Sequence, residues 1–177
     1  MIIQNYIKQI ENLLNKEKII KYQLLQISFN IACVKIELSN DEKYVVKFII
    51  KNKTNFNPIE SEANNLIYLN KQFNSFPKLI KSNDNFLIIE YLENNNDKPN
   101  ITNSDFLESV IKIHSLSNNQ YGFVFNTQIG ALEQINNFEK SWVSFFANKR
   151  LNDIFELANK KENIGKFTNK RIMSILN

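Results

Sequence analysis

The sequence predicts an α+β chain: a five-stranded antiparallel sheet with one helix inserted after the third strand, then a run of helices. Three observations predict it. Before residue 92, short apolar runs read as strands, one alternating strictly between apolar and polar residues. Turn-forming clusters, Ser39-Asn40-Asp41-Glu42 and Ser82-Asn83-Asp84-Asn85, separate those runs at hairpin spacing. Beyond residue 102 the apolar residues fall at helical spacing instead.

The elements follow in order. Ile3, Tyr6, Ile7, Ile10, Leu13 and Leu14 lie on one face of an opening helix over residues 2–15. Strands are expected at Tyr22 to Phe29 and Ala32 to Leu38. In the second, Val34, Ile36 and Leu38 alternate with Lys35 and Glu37. Lys43 to Ile50 returns as a third strand. Asn57-Pro58 opens a helix running to about residue 72, with Ile59, Ala63, Leu66, Ile67 and Leu69 on its buried side. Phe76-Pro77 ends it. Lys78 to Lys81 is a short strand, and Phe86 to Tyr91 is a strand apolar enough to lie centrally.

Polar residues from Glu93 to Asn100, with Pro99, read as a linker. Helices are expected at Asp105 to Leu116, at 138–159 (two, broken near Leu151) and at Ile164 to Leu176. Residues 117–137 read as an irregular connection. The expected organisation is therefore a lobe over 1–92, a linker over 93–102 and the start of a helical lobe over 103–177.

Composition narrows the function classes. The 14 Phe and 6 Tyr imply an aromatic core. A single cysteine, Cys33, excludes an internal disulfide or a cysteine-built metal cluster. Gln4, Asn5, Lys8 and Glu11 exclude a signal peptide or membrane span at the start, so a cytoplasmic protein is expected. Between Lys149 and Arg171 lie seven basic and three acidic residues, which accounts for the net charge of +4. Without aromatic–basic interleaving of the single-strand-binding kind, that stretch reads as a solvated helix face, or a face meant for a missing partner segment, rather than a phosphate or nucleic-acid site.

Lys47 stands out chemically. It sits in Tyr44-Val45-Val46-Lys47-Phe48, and an ammonium in an apolar strand must be paired or reach water. The next helix offers Glu60 and Glu62. A strand lysine facing a helix glutamate is the arrangement that kinases use to hold nucleotide phosphates. Glu90, Tyr91 and Leu92 close the fifth strand, where a kinase-like fold offers backbone groups to adenine. His114, the only histidine, ends a helix and has no partners for nucleophilic catalysis.

The most specific pattern runs from His114 to Ala158: Tyr121-Gly122-Phe123, Ile129-Gly130, Trp142-Val143-Ser144-Phe145-Phe146, Arg150-Leu151 and Leu157-Ala158. Its order and spacing resemble the fructosamine (ketosamine) kinase family. Upstream, Tyr44 to Phe48, Ile59-Glu60-Ser61-Glu62-Ala63 and Phe86 to Glu93 resemble that family's lysine strand, helix start and hinge strand. The resemblance covers roughly residues 20–160. It implies a protein-kinase-like fold, ATP and magnesium as cofactors, and phosphorylation of the sugar 3-hydroxyl of protein-bound ketosamines. By the same resemblance Lys47 contacts the α/β-phosphates, Glu62 pairs with Lys47, and Glu90, Tyr91 and Leu92 line the adenine pocket.

The sequence also departs from the family. His114 is followed by Ser115-Leu116, so the family's His-Gly-Asp segment is missing, and no Asp-Pro pair occurs. These segments carry the carboxylates that orient the acceptor and hold the metal. No glycine precedes Gly122, so the turn expected at Ser28-Phe29-Asn30 must form without one, which argues against tight nucleotide binding. The sequence therefore reads as the front part of such a kinase, inactive alone and with no catalytic residue of its own. An exposed apolar patch on the later helices would favour self-association. The alternatives are half of a split kinase completed by a separately encoded C-terminal half, a non-catalytic binding module, or a relative of aminoglycoside or choline kinases.

Overall fold

Alternation along residues 31–38 becomes the middle of a sheet. In the computed structural model, which describes residues 2–51, 56–94, 104–130 and 132–162, even positions there are buried and odd positions partly exposed. The strands are β1 (Ile19–Ser28), β2 (Ile31–Leu38), β3 (Lys43–Ile49), β4 (Leu79–Ser82) and β5 (Phe86–Glu90). They pair antiparallel throughout, in the order β1-β2-β3-β5-β4. The chain divides into two compact units, Met1–Ser115 and Leu116–Asn177, and the sheet lies in the first.

Each face of the sheet has its own cover. On one face, Ala32, Val34, Ile36, Leu38, Val46, Phe48, Phe86 and Ile88 pack against Ile3, Ile10 and Leu14. Ile10 belongs to α1 (Ile7–Leu13), which follows a short 3-10 turn at Ile2–Asn5. Tyr6 lies 4.7 Å from the Phe48 ring and 5.7 Å from the Phe86 ring. The other face takes α2 (Pro58–Asn70), whose Ile59, Ala63 and Leu66 meet Leu87 and Ile89. These helix positions recur at i, i+4 and i+7 and form one stripe. The Asn57 side chain caps α2, accepting from the N–H groups of Ile59 (3.0 Å) and Glu60 (3.3 Å), and Pro58 supplies its first residue. β5 is buried on both faces, as its apolar run predicts.

Glu11 ties α1 to the sheet. Its carboxylate is buried and accepts from the Ile19 N–H (3.0 Å) and from Lys18 Nζ (3.1 Å). The Ile19 N–H holds this carboxyl below its ordinary pKa; burial opposes the shift and Lys18 adds to it.

The β1–β2 turn forms at Phe29-Asn30 without a glycine. Phe29 (φ 50°) and Asn30 (φ 64°) both adopt positive φ between the paired Ser28 and Ile31. That is the backbone of a two-residue hairpin turn usually made by Asn-Gly. The left-handed conformation costs a residue with a side chain roughly 1–2 kcal/mol. At 62% exposed, Phe29 recovers little of this through packing.

A further helix, α3 (Ser104–His114), belongs to the first unit; Ser109 Oγ lies 3.1 Å from Ser75 Oγ, and Lys112 sits over the Phe73 ring. Phe106, Leu107 and Ile111 on it are exposed, and so is His114. Among the described residues no helix is long and apolar enough to cross a membrane.

The second unit corrects the expectation of helices alone. Within residues 117–137 lies a hairpin of β6 (Thr127–Ile129) and β7 (Leu132–Gln134), with Gly130 at φ 58° in its turn. Three-residue strands are too short to show alternation. Next comes α4 (Trp142–Phe146), capped by the Ser141 side chain, and then α5 (Asp153–Glu162). A wide π turn over Ala147–Asn152 joins them, where a break near Leu151 was expected. The expected helix at Ile164 to Leu176 and most of the expected linker lie outside the described residues.

Two outcomes test these contacts. Glu11→Ala strands the Ile19 N–H and destabilises the fold by about 1–3 kcal/mol, while Glu11→Gln, which keeps an acceptor, costs less. Because the folded pKa is lowered, the charge contributes stability above the unfolded carboxylate pKa. That contribution fades as pH falls through the folded value, so the gap between wild type and Glu11→Gln closes in acid denaturation profiles. The double change Phe29→Asn with Asn30→Gly raises stability by about 1 kcal/mol in chemical denaturation.

Candidate functional site

Period two decides which side of the sheet Lys47 faces. Its neighbours Val46 and Phe48 point into the α1 face, so Lys47 points toward α2. On α2, Glu62 lies on the same stripe as Ile59 and Leu66, three and four residues away, whereas Glu60 is turned to solvent. The two meet: Lys47 Nζ donates to Glu62 Oε1 at 2.5 Å, and both side chains are 26% exposed. The pair is shielded enough to hold its geometry and open enough for the ammonium to meet an anion.

Rows of cross-strand neighbours surround it. Cys33, Lys47 and Leu87 form one row across β2, β3 and β5; Lys35, Val45 and Ile89 form the next. Successive rows on one face are about 7 Å apart. Burial pushes the Cys33 thiol up from its ordinary pKa, and the nearby Lys47 offsets this only in part. Cys33 is therefore a neutral wall of the site.

The other expected site residues divide. Tyr91 stands two residues beyond Ile89, just past the end of β5, and its ring lies 3.8 Å from Lys35 Nζ. Glu90 is engaged with Lys78, the residue before β4. Its N–H donates to the Lys78 carbonyl (2.9 Å), and its carboxylate accepts from the Lys78 N–H (3.2 Å). Leu92 is exposed and, with Glu90, lines a cavity of about 720 Å³ shared with Asn70, Asn74, Ser75, Phe76 and Lys78. Neither Lys47 nor Glu62 lines that cavity. Sequence reasoning passed over Lys35, whose signal was a second lysine in step with Cys33 on the polar side of the β2 alternation.

A magnesium ion needs several oxygen ligands in near-octahedral array. Among the described residues no three His, Cys, Asp or Glu side chains come together, and the Glu62 carboxylate is engaged by Lys47. The chemistry that the Lys47–Glu62 pair offers is that of a positioned ammonium.

The motif residues of the second unit have a different role. Gly122 (φ 150°) packs so closely that a Cβ would stand 2.7 Å from the Asn136 carbonyl oxygen and 2.9 Å from Phe138 Cα. Tyr121 and Glu139 exchange backbone hydrogen bonds of 2.9 and 2.8 Å. Asn136 is buried; its amide donates to the Phe125 carbonyl (3.0 Å) and Thr127 Oγ1 (2.9 Å), and its oxygen accepts from Arg150 Nη2 (2.6 Å). Arg150 Nη1 also donates to the carbonyls of Ile135 (2.9 Å) and Lys149 (2.8 Å), and the guanidinium stacks 4.6 Å from the Phe145 ring. Burial lowers its pKa. Trp142 packs against Tyr121, Phe145 and Phe146. These residues build a scaffold.

A five-stranded antiparallel sheet with a helix on one face, and a strand lysine answered by a glutamate of that helix, defines the small lobe of a kinase-like fold. The family model for Fructosamine kinase matches residues 2–176, and the chain belongs to that family. No curated protein matches the chain. Among solved structures it is similar to a protein provisionally named a fructosamine-3-kinase from Thermobifida fusca YX-ER1, with TM-score 0.78 and 17% identity over 96% of this chain and 59% of that one. A protein of the same provisional name from Haemophilus somnus 129PT gives TM-score 0.76 and 22% identity, over 96% and 58%. The chain thus spans about three-fifths of the length of these two structures.

An ion pair still reached by water contributes little to folding. Lys47→Met therefore changes unfolding free energy by less than about 1 kcal/mol in urea titration. A loss of several kcal/mol would make Lys47 a structural residue.

Proposed function

We propose that this chain is the nucleotide-holding part of a fructosamine kinase, which moves the γ-phosphoryl group of ATP to the sugar 3-hydroxyl of protein-bound ketosamines. The observation that carries the reading is the Lys47–Glu62 pair, which joins β3 to α2 with an ammonium open to solvent on one side. Glu62 fixes the direction of that ammonium, and Lys47 offsets the charge of the α/β-phosphates. Tyr91 and Leu92, where the chain leaves β5, border the base. Membership of the Fructosamine kinase family over residues 2–176 supports the reading.

In the transfer, the bond from the γ-phosphorus to the β–γ bridging oxygen breaks and a bond to the sugar 3-oxygen forms. The hydroxyl proton passes to a carboxylate, and ADP leaves. Most of the rate enhancement comes from groups that position the acceptor and offset charge on the migrating phosphoryl group. The sequence contains neither the His-Gly-Asp nor the Asp-Pro segment that supplies them. The 177 residues then hold ATP without turning it over, and transfer requires a polypeptide bearing those carboxylates.

Calorimetric titration of the 177-residue chain with ATP and magnesium tests this. Binding is expected, and Lys47→Met should weaken it about ten- to a hundredfold, the value of a lost hydrogen bond to a charged group. With a fructosyl-lysine peptide, sugar phosphate should stay at background. Absence of ATP binding, equal affinity in Lys47→Met, or sugar phosphate made by this chain alone would each overturn the proposal.

A further inference from the structure

Lys35 is a partly exposed lysine that the proposed function leaves unused. It lies in β2 opposite Val45 of β3 and Gln23 of β1. Alternation places it on the same face as Cys33 and Lys47. Its ammonium crosses toward the end of β5 and sits 3.8 Å from the centroid of the Tyr91 ring, well within cation–π range. The Tyr91 side chain is the main group acting on this ammonium, through a hydrogen bond to its hydroxyl as well as through the ring face, while Glu93 and Glu37 act from a distance.

The contact occupies a critical place. Tyr91 is the first residue after β5, where ladder hydrogen bonds no longer set the backbone. The residue before it is held from the opposite side, because Glu90 bonds to Lys78 of the β4 segment through both its N–H and its carboxylate. The chain leaving the sheet is thus gripped by β4 at Glu90 and by β2 at Tyr91. Of the two grips, only the second lies on the face that carries Lys47.

We infer that Lys35 is a positioning residue for nucleotide binding: its ammonium holds the Tyr91 ring and so sets the path of residues 91–92 beside the base. The inference rests on the nucleotide reading of Tyr91 and Leu92. Any cation that reaches the ring serves, so Lys35→Arg keeps the function and Lys35→Met loses it. An aromatic ring at position 91 keeps the cation–π contact, so Tyr91→Phe retains part of the effect without the hydroxyl's share, and Tyr91→Leu loses it.

Two measurements on the full 177-residue chain separate the clamp from the nucleotide reading. In proton NMR of the nucleotide-free chain, the Lys35 ε-methylene signal should be shifted upfield by the ring current. That shift should persist in Tyr91→Phe and vanish in Tyr91→Leu. In titrations with ATP and magnesium, Lys35→Met should weaken binding about two- to fivefold, the range of an exposed cation–π contact. Lys35→Arg should bind like wild type, and Lys35→Met combined with Tyr91→Leu no more weakly than Tyr91→Leu alone. An ordinary Lys35 signal sinks the clamp. A normal clamp signal with unchanged ATP affinity in Lys35→Met sinks the positioning role. Wild type that shows the clamp signal but binds no ATP overturns the nucleotide reading and the positioning role with it.

Discussion

The register of β3 between β2 and β5 is the constraint on which the rest depends. In a sheet with a covered face on each side, sliding one strand by one residue exchanges its two sets of side chains. Such a slip would drive Lys47 into the cluster of Tyr6, Phe48 and Phe86 and move Phe48 out beneath α2. An unpaired ammonium in an apolar core costs far more than one misplaced ring. The residues that make a slip so costly are therefore those that carry the site. Fold and candidate chemistry are specified by the same alternation.

The two units divide the labour. In the first, apolar layers on both sides make the sheet a rigid frame, and the polar groups on the α2 face are few and directed: Lys47 to Glu62, Lys35 to Tyr91. In the second, the motifs most specific for the family build a local scaffold. Gly122 permits an approach that a Cβ would block, Asn136 joins the β6–β7 hairpin to Arg150, and Arg150 reaches back from the π turn. The residues that identify the family and those that would meet nucleotide are thus largely different sets.

The glycine-free β1–β2 turn shows how strongly pairing overrides local preference. Phe29 and Asn30 are poor choices for two successive positive φ angles. Eight paired positions between β1 and β2 hold the hairpin closed nonetheless, and the cost is confined to one exposed loop. This matters for function, because a loop bearing a phenyl ring offers phosphates a more hindered approach than one of glycines.

What the sequence determined by itself was whatever depends on period and on neighbours close along the chain. The five strands and the capped helix at Pro58 follow from alternation, from the 3.6-residue turn and from Asn57-Pro58, whereas the choice of Glu62 over Glu60 as the partner of Lys47 came from the family resemblance. Tertiary structure alone decided the contacts between residues far apart in sequence. Lys35 and Tyr91 are 56 positions apart, and no local pattern marks them as partners. The turn of Glu90 toward β4 and the buried hub of Asn136 and Arg150 are of the same kind. The physical reason is common to all three: a polar side chain takes whichever partner the packed backbone brings within reach, and that backbone is set by the whole core.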